Sequence, residues 1–149
     1  MVLLLLAGCL SGGPREVPAA VQVAIFDYQI EHQLPNDVKT VNLSIIDPPL
    51  HREVPAAVRN AIRTKKLILM KFDETNLPDA FLSVETQAER VYPDSYVVLG
   101  LVDVSHPRSG KAFRYRFDLS NGNWEIYWAK EVEIDTDCYG NFWVECAVK

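Results

Sequence analysis

The dipeptide Asn121-Gly122 constrains the fold of this chain more than any other local feature. Both residues tolerate the positive φ that a two-residue hairpin turn demands, and alternating apolar runs flank them. Folding about this turn sets Leu119 opposite Trp124, Phe117 opposite Ile126 and Tyr115 opposite Trp128, all six on one face. The other face sets Arg116 against Tyr127, a cation–π pairing, and Asp118 against Glu125, two like charges. One register satisfies the whole apolar face, so a hairpin is expected here. Val132 and Ile134 continue the pattern, and a last strand is expected from Phe142 to Val148.

Upstream, the stretch from Tyr96 to Val104 is apolar on both faces and reads as a central strand, closed by a turn at His106-Pro107-Arg108-Ser109-Gly110. Val41, Leu43 and Ile45 alternate with Asn42 and Ser44, which predicts a half-buried strand between Val38 and Ile46. Val54, Ala57, Val58, Ala61 and Ile62 follow helical spacing and predict a helix from Glu53 to Lys66, with Pro55 tolerated in its first turn. Val21 to Tyr28 and Leu67 to Phe72 are expected as strands. Ala80 to Gln87 fits strand or helix, with strand preferred. The fold class expected is α+β: one amphipathic helix packed on a mainly antiparallel sheet, ending in a long C-terminal β-meander. The heptad Arg-Glu-Val-Pro-Ala-Ala-Val occurs at both 15–21 and 52–58, yet the flanking sequences do not repeat, and propensity offers no reason for it.

Composition narrows the function classes. At 149 residues the chain predicts one domain, and its net charge of −5 with three scattered histidines argues against a nucleic-acid partner. The first 74 residues carry 8 basic and 8 acidic groups, whereas Asp118 to Lys149 carry 2 and 7. No apolar run reaches the roughly 18 residues of a membrane-spanning helix.

The amino terminus, Met1-Val2-Leu3-Leu4-Leu5-Leu6-Ala7-Gly8-Cys9, ends in a run that resembles the lipobox of bacterial lipoprotein signals. The resemblance implies diacylglycerol on the Cys9 thiol and cleavage before it, so that the protein is held at a membrane by its lipid. The residues before Cys9 include no Lys or Arg, so an upstream start is expected for a complete signal. Leu10 after the cysteine implies outer-membrane sorting, facing the periplasm. The expected organisation is a signal over residues 1–9, a flexible tether over 10–20 and one domain over 21–149.

A second resemblance follows the order of motifs. Leu34-Pro35-Asn36-Asp37-Val38-Lys39-Thr40-Val41 leads into a strand, and a helix follows. Then come Pro78-Asp79-Ala80-Phe81-Leu82-Ser83-Val84, the strand Tyr96–Val104 and Ser109-Gly110-Lys111-Ala112-Phe113. This order resembles the LptE-type lipopolysaccharide-assembly lipoproteins, and is similar to a family of small envelope lipoproteins of unknown function. It covers about Val21 to Phe117, after which an acidic aromatic hairpin stands in place of those families' C-terminal helix. The resemblance implies a binding or assembly role, with lipopolysaccharide or an envelope protein as partner.

Among site residues, Arg52, Arg59, Arg63 and Lys66 are spaced to form one basic stripe on the expected helix, either a contact for lipid phosphate or a partner, or a solvated face. Cys138 and Cys146 form either a disulfide or two half-buried thiols. Trp143 lies out of phase with Phe142, Val144 and Cys146 and is a candidate interface aromatic. Asp135-Thr136-Asp137-Cys138-Tyr139-Gly140 opens like a calcium loop but lacks its later ligands, so an acidic turn is expected. His32, His51 and His106 lack metal-ligand spacing and are expected at the surface. No nucleophile–base pair, metal set or cofactor motif can be named, so the expected function is non-catalytic: a lipid-anchored envelope module for binding or assembly. The alternatives are a carrier of a lipid or small hydrophobic ligand on the face of Tyr115, Phe117, Trp124 and Trp128, and a lipoprotein with an edge strand open to a protein partner.

Overall fold

In the computed structural model, which describes residues 15–47, 50–63, 67–92 and 95–133, β1 (Arg15–Glu16) leads into α1 (Ala19–Tyr28). A π-helical turn, Gln29–Gln33, extends that helix. Then follow β2 (Thr40–Asp47), β3 (Leu50–Glu53), α2 (Ala56–Ala61), β4 (Ile68–Leu69), β5 (Ala80–Glu85), β6 (Gln87–Tyr92), β7 (Ser95–Ser105), β8 (Arg108–Ser120) and β9 (Asn123–Val132). The class is α+β with a C-terminal meander, β7–β8–β9, as the alternation implies.

β7 organises the sheet. One edge pairs along its length with β8, and the other pairs with β5 at its C-terminal half and with β6 at its N-terminal half. Beyond β5 lies β2, which runs parallel to it and carries β3 and β4 on its far edge; β1 lies beyond β6. Asp79 fixes the start of the parallel pair. Its Oδ2 accepts the backbone N–H groups of Lys39 (2.9 Å) and Thr40 (3.0 Å), and its own N–H donates to Thr40 Oγ1 at 2.9 Å. Those backbone donors hold the Asp79 carboxyl below the usual carboxylate range.

The core lies between α1 and the inner sheet face. Val21, Ile25 and Phe26 pack with Val41, Leu82, Val84, Val98, Tyr115 and Phe117. The strand expected from Val21 to Tyr28 is therefore a helix. Its inward positions are Val21, Gln22, Ile25, Phe26 and Gln29, a helical spacing in which two members are glutamines. Apolar Val23 and Ala24 are partly buried against the same core, so apolar residues run around much of the helix and no single apolar stripe marks it in the sequence. Of the expected tether, residues 15–20 belong to the domain: Arg15 and Glu16 pair with β6, and Ala19 and Ala20 begin α1.

The repeated heptad acquires a physical account. In both copies the Arg-Glu pair ends a strand, the first Val is buried, and Pro is the residue before the helix, with φ −58° and ψ 146° at Pro18 and φ −54° and ψ 143° at Pro55. Each proline carbonyl accepts the first helical bond, from Gln22 at 3.1 Å and from Arg59 at 3.0 Å. The closing valines, Val21 and Val58, are both buried. The heptad is one strand-to-helix junction used twice.

The helix expected from Glu53 to Lys66 is shorter than its periodicity. Arg52 and Glu53 belong to β3, and α2 ends at Ala61 because Ile62 is extended (φ −66°, ψ 125°). The N–H of Arg63 donates to Asp27 Oδ1 at 3.0 Å, a bond to α1 that replaces continuation of α2. The strand expected from Leu67 to Phe72 contracts to Ile68–Leu69.

One gap in the inner face holds α1 in place. Gly100, mid-β7, faces the π turn, and the Gln29 side chain enters there, its Nε2 donating to the carbonyls of Leu101 (3.2 Å) and Ser83 (3.4 Å). A Cβ at Gly100 would lie 2.9 Å from Gln29 Nε2, 2.9 Å from Tyr115 Cε2 and 3.0 Å from the Ser83 carbonyl oxygen. Gly100→Ala is expected to destabilise the fold by about 1–3 kcal/mol in urea unfolding, the cost typical of overpacking; an unchanged midpoint would show that α1 does not depend on this gap.

Candidate functional site

The hairpin forms as the sequence predicts near its turn, and departs further along. Asn121 and Gly122 have φ 51° and 80°, and Leu119 pairs with Trp124, Asp118 with Glu125 and Phe117 with Ile126. Then a β-bulge intervenes: Arg116 faces Trp128 and Tyr115 faces Ala129, so Tyr127 is an extra residue in β9. The expected Tyr115–Trp128 pair does not form. The reason is room: unbroken pairing would set the bulky Trp128 opposite Tyr115, which is fully buried beneath α1. The bulge instead turns small Ala129 inward against the core and moves Trp128 and Lys130 to the outer face.

The outer face thereby gathers aromatics and cations. Arg116 Cζ lies 4.9 Å from the Tyr127 ring centroid, the expected cation–π pairing, and Lys130 Nζ lies 4.9 Å from that of Trp128. Tyr127 is 67% exposed. Arg114 stands directly opposite Lys130 in the ladder. Asp118, opposite Glu125, is neutralised locally: Ser95 Oγ donates to its Oδ1 at 2.6 Å and Arg116 Nε at 3.1 Å, and these hold its carboxyl below the usual range.

Nearby on β5, Glu85 is buried. Loss of water pushes its carboxyl up to about 7, against the opposing pull of the Leu99 backbone and of Arg114. On the inner face, burial likewise raises the Tyr115 phenol. Gln29 also lies against that hydroxyl, but its one proton goes to Gln33 Oε1 at 2.5 Å, which leaves the buried Gln29 Oε1 without a partner.

The residues singled out in the sequence fall in separate places. Arg52 lies on β3, with Nη2 2.9 Å from Asp47 Oδ2; Arg59 lies on α2; Arg63 lies past its end. The basic stripe needed a longer helix, so these three side chains do not share one helical face. Cys9, Lys66, Cys138, Trp143 and Cys146, with the Asp135 turn, Ile134 and the strand expected from Phe142 to Val148, lie outside the described residues. Tyr115 and Phe117 are fully buried beneath α1, and Trp124 packs against Tyr96 with ring centroids 4.9 Å apart. His32, His51 and His106 are exposed. Among the described residues no group of three His, Cys, Asp or Glu is placed to hold a metal ion, and no helix is long and apolar enough to cross a membrane. The outer cluster escaped the sequence because alternation alone cannot reveal a bulge: Lys130 or Glu131 stands opposite Phe113 in either register, so charge does not distinguish them.

At the opposite end of the sheet, Ile68, Phe72 and Leu77 are exposed large apolar side chains near the start of β2 and β5. Phe72 lies with its ring centroid 6.3 Å from that of Phe81. No protein-family model, curated protein or solved structure matches this chain.

Glu85 makes a pH prediction. A carboxyl raised to about 7 in the folded state from 4.5 keeps its proton where the unfolded chain loses it. Its contribution therefore falls as pH rises from about 4.5 through 7, by on the order of 3 kcal/mol for a shift of this size. Glu85→Gln is expected to flatten that window and to be the more stable protein above pH 7 in urea titrations. A variant that follows the same pH curve as the wild type would contradict the assignment.

Proposed function

We propose that this protein is a lipid-anchored envelope protein whose domain acts as a non-catalytic binding or assembly module. The observation that carries this proposal is the run Leu6-Ala7-Gly8-Cys9 set six residues ahead of a paired strand. A lipid on Cys9 would hold the domain close to a membrane, at the end of the sheet where β1 joins β6. The far end, with exposed Ile68, Phe72 and Leu77, would then face away from the bilayer and suit a protein partner. The similarity to LptE-type lipoproteins extends the proposal to outer-membrane or lipopolysaccharide assembly, with the periplasm as the compartment.

The carrier alternative needs the aromatic inner face to line a cavity. Tyr115 and Phe117 are instead packed into the core with Ile25, Phe26 and Val98, which favours the module.

The test is intact mass and membrane fractionation of the protein expressed in a bacterium with a complete upstream signal, beside Cys9→Ser. Added acyl mass and membrane association that both vanish in Cys9→Ser are expected. A wild type that is soluble and unmodified would overturn the anchor.

A further inference from the structure

The strand register puts the outer cluster and the entry of the chain at one level of the sheet. Arg15 pairs with Ala88, the neighbouring Glu89 with Val97, Val97 with Arg116, and Arg116 with Trp128. This row crosses β1, β6, β7, β8 and β9, four strand spacings or about 19 Å. The six peptide steps from Cys9 to Arg15 reach at most about 20 Å. A lipid on Cys9 can therefore lie in the same membrane plane that the cluster would touch. The row through Ile68 and Thr40 is at the other end, seven residues along β7 from Val97 to Val104, or about 23 Å away.

The cluster itself is built against its own repulsion. Arg114 and Lys130 are directly opposed like charges, with no ion pair within 4 Å among the described residues. Glu85 faces Arg114 but, raised to about 7, offsets the repulsion only in part, so the pair still weakens the ladder unless a further anion joins it. Beside it stand Tyr127 and Trp128, brought to one face by the bulge. Aromatic side chains with Arg and Lys are the set that settles at the headgroup level of a bilayer. A nucleic acid would have to approach a chain of net charge −5, whereas a bilayer next to an anchored lipid is met only by the surface turned toward it.

We propose that Tyr127, Trp128, Arg114, Arg116 and Lys130 dock the outer face of the β8–β9 hairpin onto a bilayer of anionic phospholipid, as a second membrane contact beside the Cys9 lipid. The proposal rests on the anchored reading for its geometry, but it is testable without the anchor. Full-length Cys9→Ser protein, which cannot carry the acyl chain, is floated with vesicles of phosphatidylcholine alone or with phosphatidylglycerol added, at about 0.1 M salt. The expected result is flotation with the anionic vesicles only, released by high salt. Lys130→Glu should lower the bound fraction at least about fivefold, the weight of one cation at an anionic surface. Tyr127→Ser should lower it too, with both variants keeping the wild-type circular dichroism. Lys71→Glu, outside the cluster, should bind as the parent does. Equal binding to both vesicle types, or equal losses in Lys71→Glu and Lys130→Glu, would overturn the docking surface. Absence of acyl mass on the wild-type protein would sink the anchor instead, and the flotation result would stand by itself.

Discussion

A glutamine amide seated over a glycine ties the two layers of this protein together. Gly100 leaves room on the inner face of β7, and Gln29 fills it, donating to carbonyls of both β5 and β7. Because β7 is the strand shared by β5, β6 and β8, this contact sets α1 against the whole sheet. Tyr115, one strand over, closes the other side of the gap and is held by Gln33 from the same π turn. Leaving Gln29 Oε1 unpaired costs stability, on the order of 1–3 kcal/mol for a buried polar group. The dense apolar packing around Ile25, Phe26 and Phe117 must offset that cost.

How much of this was legible depended on whether the local signal and the tertiary demand agreed. They agreed at Asn121-Gly122, at the apolar stretch that became β7, and in the alternation that became β2. They disagreed in α1 and its π turn, where two of the five inward positions are glutamines, Gln22 donating to the Val17 carbonyl and Gln29 to sheet carbonyls, so hydrophobic periodicity had little to detect. They disagreed again in α2, whose periodicity continues past Ala61 while Asp27 takes the N–H that the next turn would need. The repeated heptad was visible but mute; only the backbone shows that both copies turn a strand into a helix at a buried valine and a proline.

The outer face shows the same logic at a surface. Arg116 over Tyr127 was legible because the contact survives the bulge: Tyr127 is the extra residue next to Trp128, the ladder partner of Arg116. The place of Trp128 on the outer face, where it is half-buried, was not, because one extra residue reverses every side chain beyond it. The basic stripe drawn from Arg52, Arg59 and Arg63 lost its helix, while Arg114, Arg116 and Lys130, unmarked by any helical spacing, came together across two strands. In the proposed account the sheet has a membrane end and a free end. The Cys9 lipid and the bulged hairpin belong to the first, and the apolar corner at Ile68, Phe72 and Leu77 to the second.

The central claim of this account, that the bulged hairpin lies against the bilayer, is tested most directly by where Trp128 sits. Acylated full-length protein in vesicles carrying brominated phospholipids, compared with its Trp128→Phe variant, measures it through tryptophan quenching. The account predicts that the lipid-borne bromine quenches the wild type and that most of this quenching disappears with Trp128→Phe. Quenching that is absent, or that survives the substitution unchanged, would contradict it.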